Sequence, residues 1–310
     1  MGQPAIVVEN LKKSYGSVEA VRGVSFEVAE GEVFALLGPN GAGKTSTVEI
    51  LEGYRRRDGG RVSVLGMDPE RGERALKERL GIVLQECGIE ELLTVGETMD
   101  RQAGYYPRPR PVDEVLRIMD LTDKARARIR TLSGGQRRRL DLALALVGDP
   151  DLIFLDEPTT GFDPGARRNA WAIVRSLCDL GKTVLLTTHY MDEAQHLAHR
   201  VAVMSGGRIV AEGPPDSLGG RAAGATVIRF RLPGGVAVAD LPVPARAADG
   251  QAVIETEEPT RALAALTSWA VARGLELPGL TVAARSLEDA YLELVGQNGD
   301  AAGPAPAGAP

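Results

Sequence analysis

Cysteine is nearly missing from this chain of 310 residues: Cys87 and Cys178 are the only two, and they form neither a C-x-x-C pair nor a metal-ligand spacing. That excludes a disulfide framework, and small buried thiols in a reducing, cytosolic setting are expected. Basic charge is in deficit as well, with 36 Lys and Arg against 42 Asp and Glu for a net charge of -6, which argues against a nucleic-acid partner. No apolar run is long enough to cross a bilayer, and Met1 to Asn10 lacks the charged-then-apolar pattern of a secretory leader. Any work at a membrane is therefore expected to go through a partner. Aromatics supply only 4% of the residues and histidine only three, so each can be weighed singly.

What is present is an ordinary globular balance, 44% hydrophobic and 25% charged, with room for one large α/β domain and a smaller appendage. β-Formers at Ile6–Glu9 and Val24–Ala29 suggest antiparallel strands. Val33–Leu37 reads as a buried strand, followed by a Pro- and Gly-containing loop and a helix over about Lys44–Gly53. Strands are expected at Val62–Val64 and Ile82–Leu84, then an inserted helical lobe interrupted by Pro107, Pro109 and Pro111. A helix follows Ser133 and stops near Asp149-Pro150. Leu152–Leu155 and Val184–Leu186 are wholly apolar, the pattern of parallel strands covered on both faces. A helix over about Gly165–Leu180 separates them, and a hairpin around Gly206-Gly207 comes after. Beyond Gly213 the composition shifts and Gly219-Gly220 marks a boundary, past which strands Thr226–Leu232, Ala252–Glu255 and Thr281–Ala283 and helices Thr260–Arg273 and Leu287–Val295 are expected. The Gly-, Ala- and Pro-rich end has too little apolar bulk to offset ordering entropy, so a disordered tail is expected over 297–310.

Three segments carry chemistry. Gly38-Pro39-Asn40-Gly41-Ala42-Gly43-Lys44-Thr45 matches G-x-x-x-x-G-K-T, in which glycines let backbone NH groups approach phosphate oxygens, the lysine reaches the terminal phosphates and the threonine ligates Mg²⁺. Asp156-Glu157 ends a buried strand, where a carboxylate is costly unless a cation sits beside it. Asp156 suits Mg²⁺, and Glu157 is placed to orient or deprotonate an attacking water. The bland alternative is a pair of turn carboxylates before Pro158. Between these lies Leu132-Ser133-Gly134-Gly135-Gln136, a second glycine-rich helix start that offers another set of NH groups to a phosphate. His189 ends the strand Thr183–Thr188 at the edge where an open parallel sheet gathers its ligands. His196 and His199, on the next helix, read as ordinary surface residues. Gln85, after Gly81–Leu84, offers an amide to Mg²⁺ or water; Tyr15, in a polar stretch, offers a face to a base or simply an amphipathic surface. Arg55–Arg57 reads as a solvated face, whereas Arg137–Arg139, directly after the glycine pair, is open to either reading.

These residues in this order resemble the ATP-binding subunit of an ABC transporter over about Ala5–Gly213. The resemblance implies an α/β P-loop NTPase core with an antiparallel β subdomain, a helical subdomain inserted at about 88–140, a cassette over 1–215 and a small α+β accessory domain over 222–296. It makes Tyr15 the adenine-stacking aromatic, Gly38–Thr45 with Ser46 the Walker A loop and Gln85 the Q-loop glutamine. Ser133, Gly134, Gly135 and Gln136 become the signature, Asp156 the magnesium ligand, Glu157 the catalytic glutamate, Asp163 the D-loop aspartate and His189 the switch histidine. The D-loop departs from the usual pattern, with Phe162 where the family has Leu. ATP and Mg²⁺ are the implied cofactors.

In that family Ser133 and Gly135 of one cassette close on the γ-phosphate held by Lys44 of another, and this chain has one cassette. A second cassette is the expected partner, either another copy of this chain in a homodimer or a related protein, together with an integral-membrane permease that holds the subunit peripherally on the cytoplasmic side of the cell membrane. The ending Ser286–Leu294 is similar to exporters of the daunorubicin-resistance type, which implies efflux of a hydrophobic drug or antibiotic. Export of a lipid or polysaccharide is the near alternative. A soluble ABC ATPase acting on ribosomes or DNA is the distant one, and it fits poorly with a single cassette and an acidic balance.

Overall fold

The computed structural model describes residues 3–83, 88–218, 226–248 and 250–284. The chain divides into two compact units, Met1–Gly213 and Pro214–Pro310. In chain order the first unit carries β1 Ile6–Tyr15, β2 Val18–Val28, β3 Val33–Leu37, α1 Lys44–Leu51, β4 Gly59–Val64, α2 Arg74–Lys77, β5 Leu80–Val83, α3 Val95–Ala103 and α4 Val112–Ile118. It continues with α5 Gly134–Leu146, β6 Leu152–Asp156, α6 Pro164–Asp179, β7 Thr183–Thr188, α7 Met191–Leu197, β8 Arg200–Ser205 and β9 Arg208–Gly213.

The first sheet is antiparallel in the order β2-β1-β4. It is longer than its apolar stretches suggest: β1 runs on to Tyr15, so that residue ends a strand and does not lie in a loop. On β2 the alternation buries Val24, Phe26 and Val28 on one side, as a sheet with one covered face requires. The second sheet has the order β5-β6-β7-β3-β8-β9, parallel except for the final β8–β9 hairpin. All of β3 and β7 is buried. The two sheets share one core, in which Phe26 and Phe34 stack with ring centroids 5.2 Å apart and planes within 9°. Gly206 and Gly207 both take positive φ (54° and 78°) in the β8–β9 turn, the geometry a two-residue hairpin loop demands.

Parallel pairing is what assembles the site. Leu37 lies in register with Thr188, and Asp156 with Thr187. The segments leaving β3, β6 and β7 therefore emerge at one edge of the sheet, the edge where open α/β sheets bind ligands. Three longer helices, α3, α4 and α5, form the inserted region, burying Val95, Met99, Val115, Leu116 and Leu140. A Thr94–Glu97 capping box opens α3 and Pro111 sits immediately before α4. Helix α5 lies so close to β5 that a Cβ on Gly81 would sit 2.7 Å from the Ala145 carbonyl oxygen.

The second unit holds α8 Pro215–Leu218, β10 Thr226–Arg231, β11 Arg246–Ala248, β12 Gln251–Thr256, α9 Pro259–Ala272 and β13 Thr281–Ala284. Its sheet, β11-β12-β10-β13, is antiparallel. Ile228, Phe230 and Ile254 pack beneath Ala262 and Leu266 of α9. β11 has no counterpart in the sequence expectation, because three residues of Arg-Ala-Ala carry no β signature. The helix expected at Leu287–Val295 and the tail at 297–310 lie outside the described residues, as do Gln85 and Cys87.

Candidate nucleotide site

The loop between β3 and α1 opens a cleft of about 580 Å³ lined by Asn40, Gly41, Gly43, Lys44, Thr45 and Ser46, and Glu157 lines it as well. Gly41, at φ 79°, has open space where a Cβ would be, which leaves its backbone accessible to a ligand. Gly38 and Gly43 have a different reason to be glycine. A Cβ on either would lie 2.4 Å from a carbonyl oxygen of this chain, Met204 for the first and Ala20 for the second. The loop is thus wedged between β8 and β2 by its own packing, and Ala42 is buried as part of that core.

Lys44 is 4% exposed, and its ammonium donates to the Gly38 and Pro39 carbonyls at 2.7 and 3.1 Å. Burial pulls its pKa down, while the carboxylates of Glu157 and Asp156 pull it back up. Asp156 accepts a short hydrogen bond from the Thr187 hydroxyl, which fixes the orientation of its carboxylate. Glu157 takes a left-handed φ of 45°, which costs about 1–2 kcal/mol for a residue with a Cβ. The turn is held because its NH donates to the carbonyl and hydroxyl oxygens of Thr187. The side chain then points across the sheet edge. Its Oε1 lies 3.9 Å from Lys44 Nζ and 3.2 Å from His189 Nδ1, and its Oε2 accepts from the Thr160 hydroxyl at 3.0 Å. The approach to His189 is close without hydrogen-bond alignment, since Nδ1 finds no aligned partner among the described residues.

Tyr15 stands at the margin, 40% exposed, with its hydroxyl 3.1 Å from Ser46 Oγ. Arg55 and Lys13 lie 5.2 and 5.6 Å from its ring centroid, so the ring is already a cation platform. Of the basic runs, Arg55 pairs with Glu49 and Arg57 with Asp68 and Glu70. Arg137 pairs with Glu91 and Arg139 with Asp120. Arg138 is buried and donates to the Pro158 carbonyl at 3.0 Å, a link between α5 and the acidic turn that sequence reasoning missed. His196 and His199 are exposed, as expected, but only His196 is on α7, because the helix ends at Leu197 and His199 lies beyond its cap. His199 is nonetheless engaged, because its Nδ1 accepts the Val33 NH at 2.9 Å.

The second glycine-rich segment does not line this cleft. Ser133, Gly135 and Gln136 border a smaller cavity of about 220 Å³ together with Arg139 and Phe162. Ser133 and Gln136 form a reciprocal capping box on α5, which alone accounts for both residue types. The glycines are not accounted for in the same way: a Cβ on Gly134 or Gly135 would meet nothing within 4 Å. Asp163 caps α6, accepting from the Gly165 and Ala166 amides at 2.8 and 2.9 Å, and those amides hold its carboxyl below the usual range.

Glu52, at the end of α1, is a further residue that sequence reasoning passed over. It is 6% exposed, and its Oε1 has no hydrogen-bond partner among the described residues. Burial, then Asp156 and Glu49, push its pKa from the ordinary 4.5 to about 8. The unfolded chain releases this proton near 4.5 and the folded chain only near 8, so its contribution to stability is complete at low pH and lost as pH rises between those values. Glu52→Gln, which cannot ionise, is expected to remove this part of the pH dependence. Urea midpoints measured at both ends of the window should converge; an unchanged difference would show that Glu52 ionises normally.

A family model described as ABC transporter matches residues 21–160, and a second, described as ABC transporter domain-containing protein-like, C-terminal domain, matches 226–286. The daunorubicin resistance ATP-binding protein DrrA3 of Streptomyces coeruleorubidus is 38% identical over 309 residues, 96% of this chain and 98% of that protein. The Nod factor export ATP-binding protein I of Paraburkholderia xenovorans (strain LB400) is 44% identical over 245 residues, covering 77% of this chain and 81% of that protein. Among solved structures, an ATP-binding cassette of an ABC transporter in its ADP conformation superposes with a TM-score of 0.63 at 26% identity, covering 70% of this chain and 93% of the other.

Proposed function

We propose, from the premise that this chain belongs to the ABC transporter family as one of its ATP-binding proteins, that its ATP hydrolysis powers export of a hydrophobic compound, such as a drug or antibiotic, through a separate integral-membrane permease. The observation that carries this reading is the length of the match. Similarity to daunorubicin resistance proteins extends over nearly the whole chain, second unit included, whereas that to the Nod factor export protein covers 77% of it. The Nod factor export protein's 44% identity over its 245-residue alignment favours a second reading, in which the cargo is of the Nod factor kind. No helix among the described residues is long and apolar enough to cross a membrane, and a peripheral position on the cytoplasmic side, reached through the permease, fits that.

Within the cleft, Gly38 to Ser46 hold the nucleotide phosphates, Lys44 reaches the terminal ones and Tyr15 stacks on the adenine. Thr45 and Asp156 would hold Mg²⁺: a hydroxyl and a carboxylate are the hard oxygen donors that ion takes, and Thr187 keeps the Asp156 carboxylate in one orientation. Among the described residues no three His, Cys, Asp or Glu gather as a metal cage, which leaves room in the coordination of the ion for phosphate, water and the Gln85 amide. When bound, Mg²⁺ supplies charge neutralisation on the phosphates. Glu157 orients and deprotonates the attacking water, and His189 on its flank senses the terminal phosphate. Gln85, outside the described residues, is proposed as a ligand to the ion or its water. Ser133, Gly134, Gly135, Gln136 and Asp163 serve the nucleotide of a second copy, and MgATP holds the two copies together as a population switch.

A decisive experiment is co-purification in detergent with a candidate multi-span partner, followed by export assays in cells. The complex should hydrolyse ATP and lower accumulation of a hydrophobic drug, and Glu157→Gln should abolish that efflux. Failure to bind any membrane protein, with unaltered drug accumulation, would refute the export reading.

A further inference from the structure

Glu193 has no exposed surface, although it is an acid on the short helix α7, four residues after His189. Its Oε1 accepts the Thr159 hydroxyl at 2.8 Å and the Trp171 indole NH at 3.2 Å. Burial pushes its pKa up, and the nearby hydroxyls of Thr188 and Thr159 with the indole pull it back. A buried carboxylate is worse than a leucine of similar bulk unless its donors are needed where they are. Here each donor belongs to a different segment of the site. Thr159 lies two residues past Glu157, Thr188 immediately precedes His189, and Trp171 sits on α6, the helix that Asp163 caps. Thr159 and Thr188 are themselves buried.

The same turn is gripped from a second direction. The buried Arg138 of α5 donates to the Pro158 carbonyl, so Pro158-Thr159 is fastened on one side to the helix that opens with Ser133 and on the other to Glu193. The Glu157 backbone immediately before it is in its left-handed conformation, a conformation that persists only where surrounding contacts over-determine it.

We propose that Glu193 is a positioning residue for ATP hydrolysis, locking the Glu157 turn, the strand end before His189 and the α6 segment that follows Asp163 into one arrangement. This rests on the roles proposed above for Glu157 and His189. Glu193 touches neither the nucleotide cleft nor the Lys44 loop, so its loss acts on turnover and not on nucleotide affinity. Misplacing a reacting group by about 1 Å is enough to cost on the order of 10²-fold in rate.

The test measures steady-state hydrolysis and MgATP binding by the full chain, with Glu193→Ala, Glu193→Gln and Glu157→Gln side by side. Glu193→Ala is expected to lower kcat by about tenfold or more while KM and Kd for ATP stay within about twofold, the signature of an interaction that serves the transition state. Glu193→Gln keeps the oxygen that Thr159 and Trp171 donate to, and is expected to restore kcat to within about threefold of the parent. Turnover unchanged in Glu193→Ala but abolished in Glu157→Gln overturns the positioning role alone. Turnover retained in Glu157→Gln overturns the reading beneath it. Parallel loss of binding and turnover in Glu193→Ala reduces Glu193 to a structural residue and also overturns the proposal. Should Glu193→Ala not fold, Thr159→Val and Trp171→Phe each remove one donor; unchanged kcat in both has the same overturning force.

Discussion

Glu157→Gln is expected to bind MgATP as the parent chain does while its turnover falls by about 10²- to 10⁴-fold, the usual worth of a positioned general base. The substitution is nearly isosteric and retains an oxygen for the Thr160 hydroxyl, so the left-handed turn and its two bonds to Thr187 have no reason to move. What disappears is the negative charge 3.9 Å from Lys44 and the acceptor for a water proton. Loss of that charge removes one of the two influences that oppose the lowering of the Lys44 pKa by burial, and Asp156 still supplies the other. Binding and chemistry should therefore separate, with equilibrium dialysis of MgATP unchanged and phosphate release nearly absent. Near-normal release by a purified preparation would remove Glu157 from the base role and move attention to His189.

The phosphate loop, the acidic pair and the histidine were legible because each lies at the end of a short strand built on an apolar run, and parallel strands must deliver their ends to one edge. The family resemblance then ordered them into one cassette. What escaped sequence reasoning were long-range bonds from residues whose types signal nothing by themselves. Arg138 looks like one of three equivalent arginines, yet it alone is buried against the acidic turn, while its neighbours make exposed ion pairs. Glu193 reads as one of two adjacent acids in the first turn of a helix, where such residues are commonplace. Glu52 follows the last residue of α1, and a lone acid at a helix end gives no sign of being covered. The glycines were visible, but for Gly38 and Gly43 the reason inferred from sequence was incomplete: their own chain packs against them before any phosphate does.

Ser133→Arg is expected to abolish ATP-dependent dimerisation in the Glu157→Gln background, where slow turnover would otherwise let the closed dimer accumulate. Ser133 and Gln136 cap α5, and losing such a cap costs about 1 kcal/mol of helix stability, too little to unfold a domain. Ser133→Ala pays that cost and no other, so it serves as the control and should still dimerise. Gly134 and Gly135 sit at a helix start with open space around them, where alanine would favour the helix by as much as about 1 kcal/mol. No close contact within the described residues demands glycine at either position, and a phosphate met by bare backbone NH groups would fit that opening. Gly135→Asp sharpens the point: a carboxylate in the first turn suits the helix dipole but repels an incoming phosphate, so the monomer should melt no earlier than its parent and yet fail to pair. Light scattering with and without MgATP reads all three variants. A dimer fraction unchanged by both Ser133→Arg and Gly135→Asp would mean that the second glycine segment never covers a nucleotide, and that hydrolysis is the work of one copy alone.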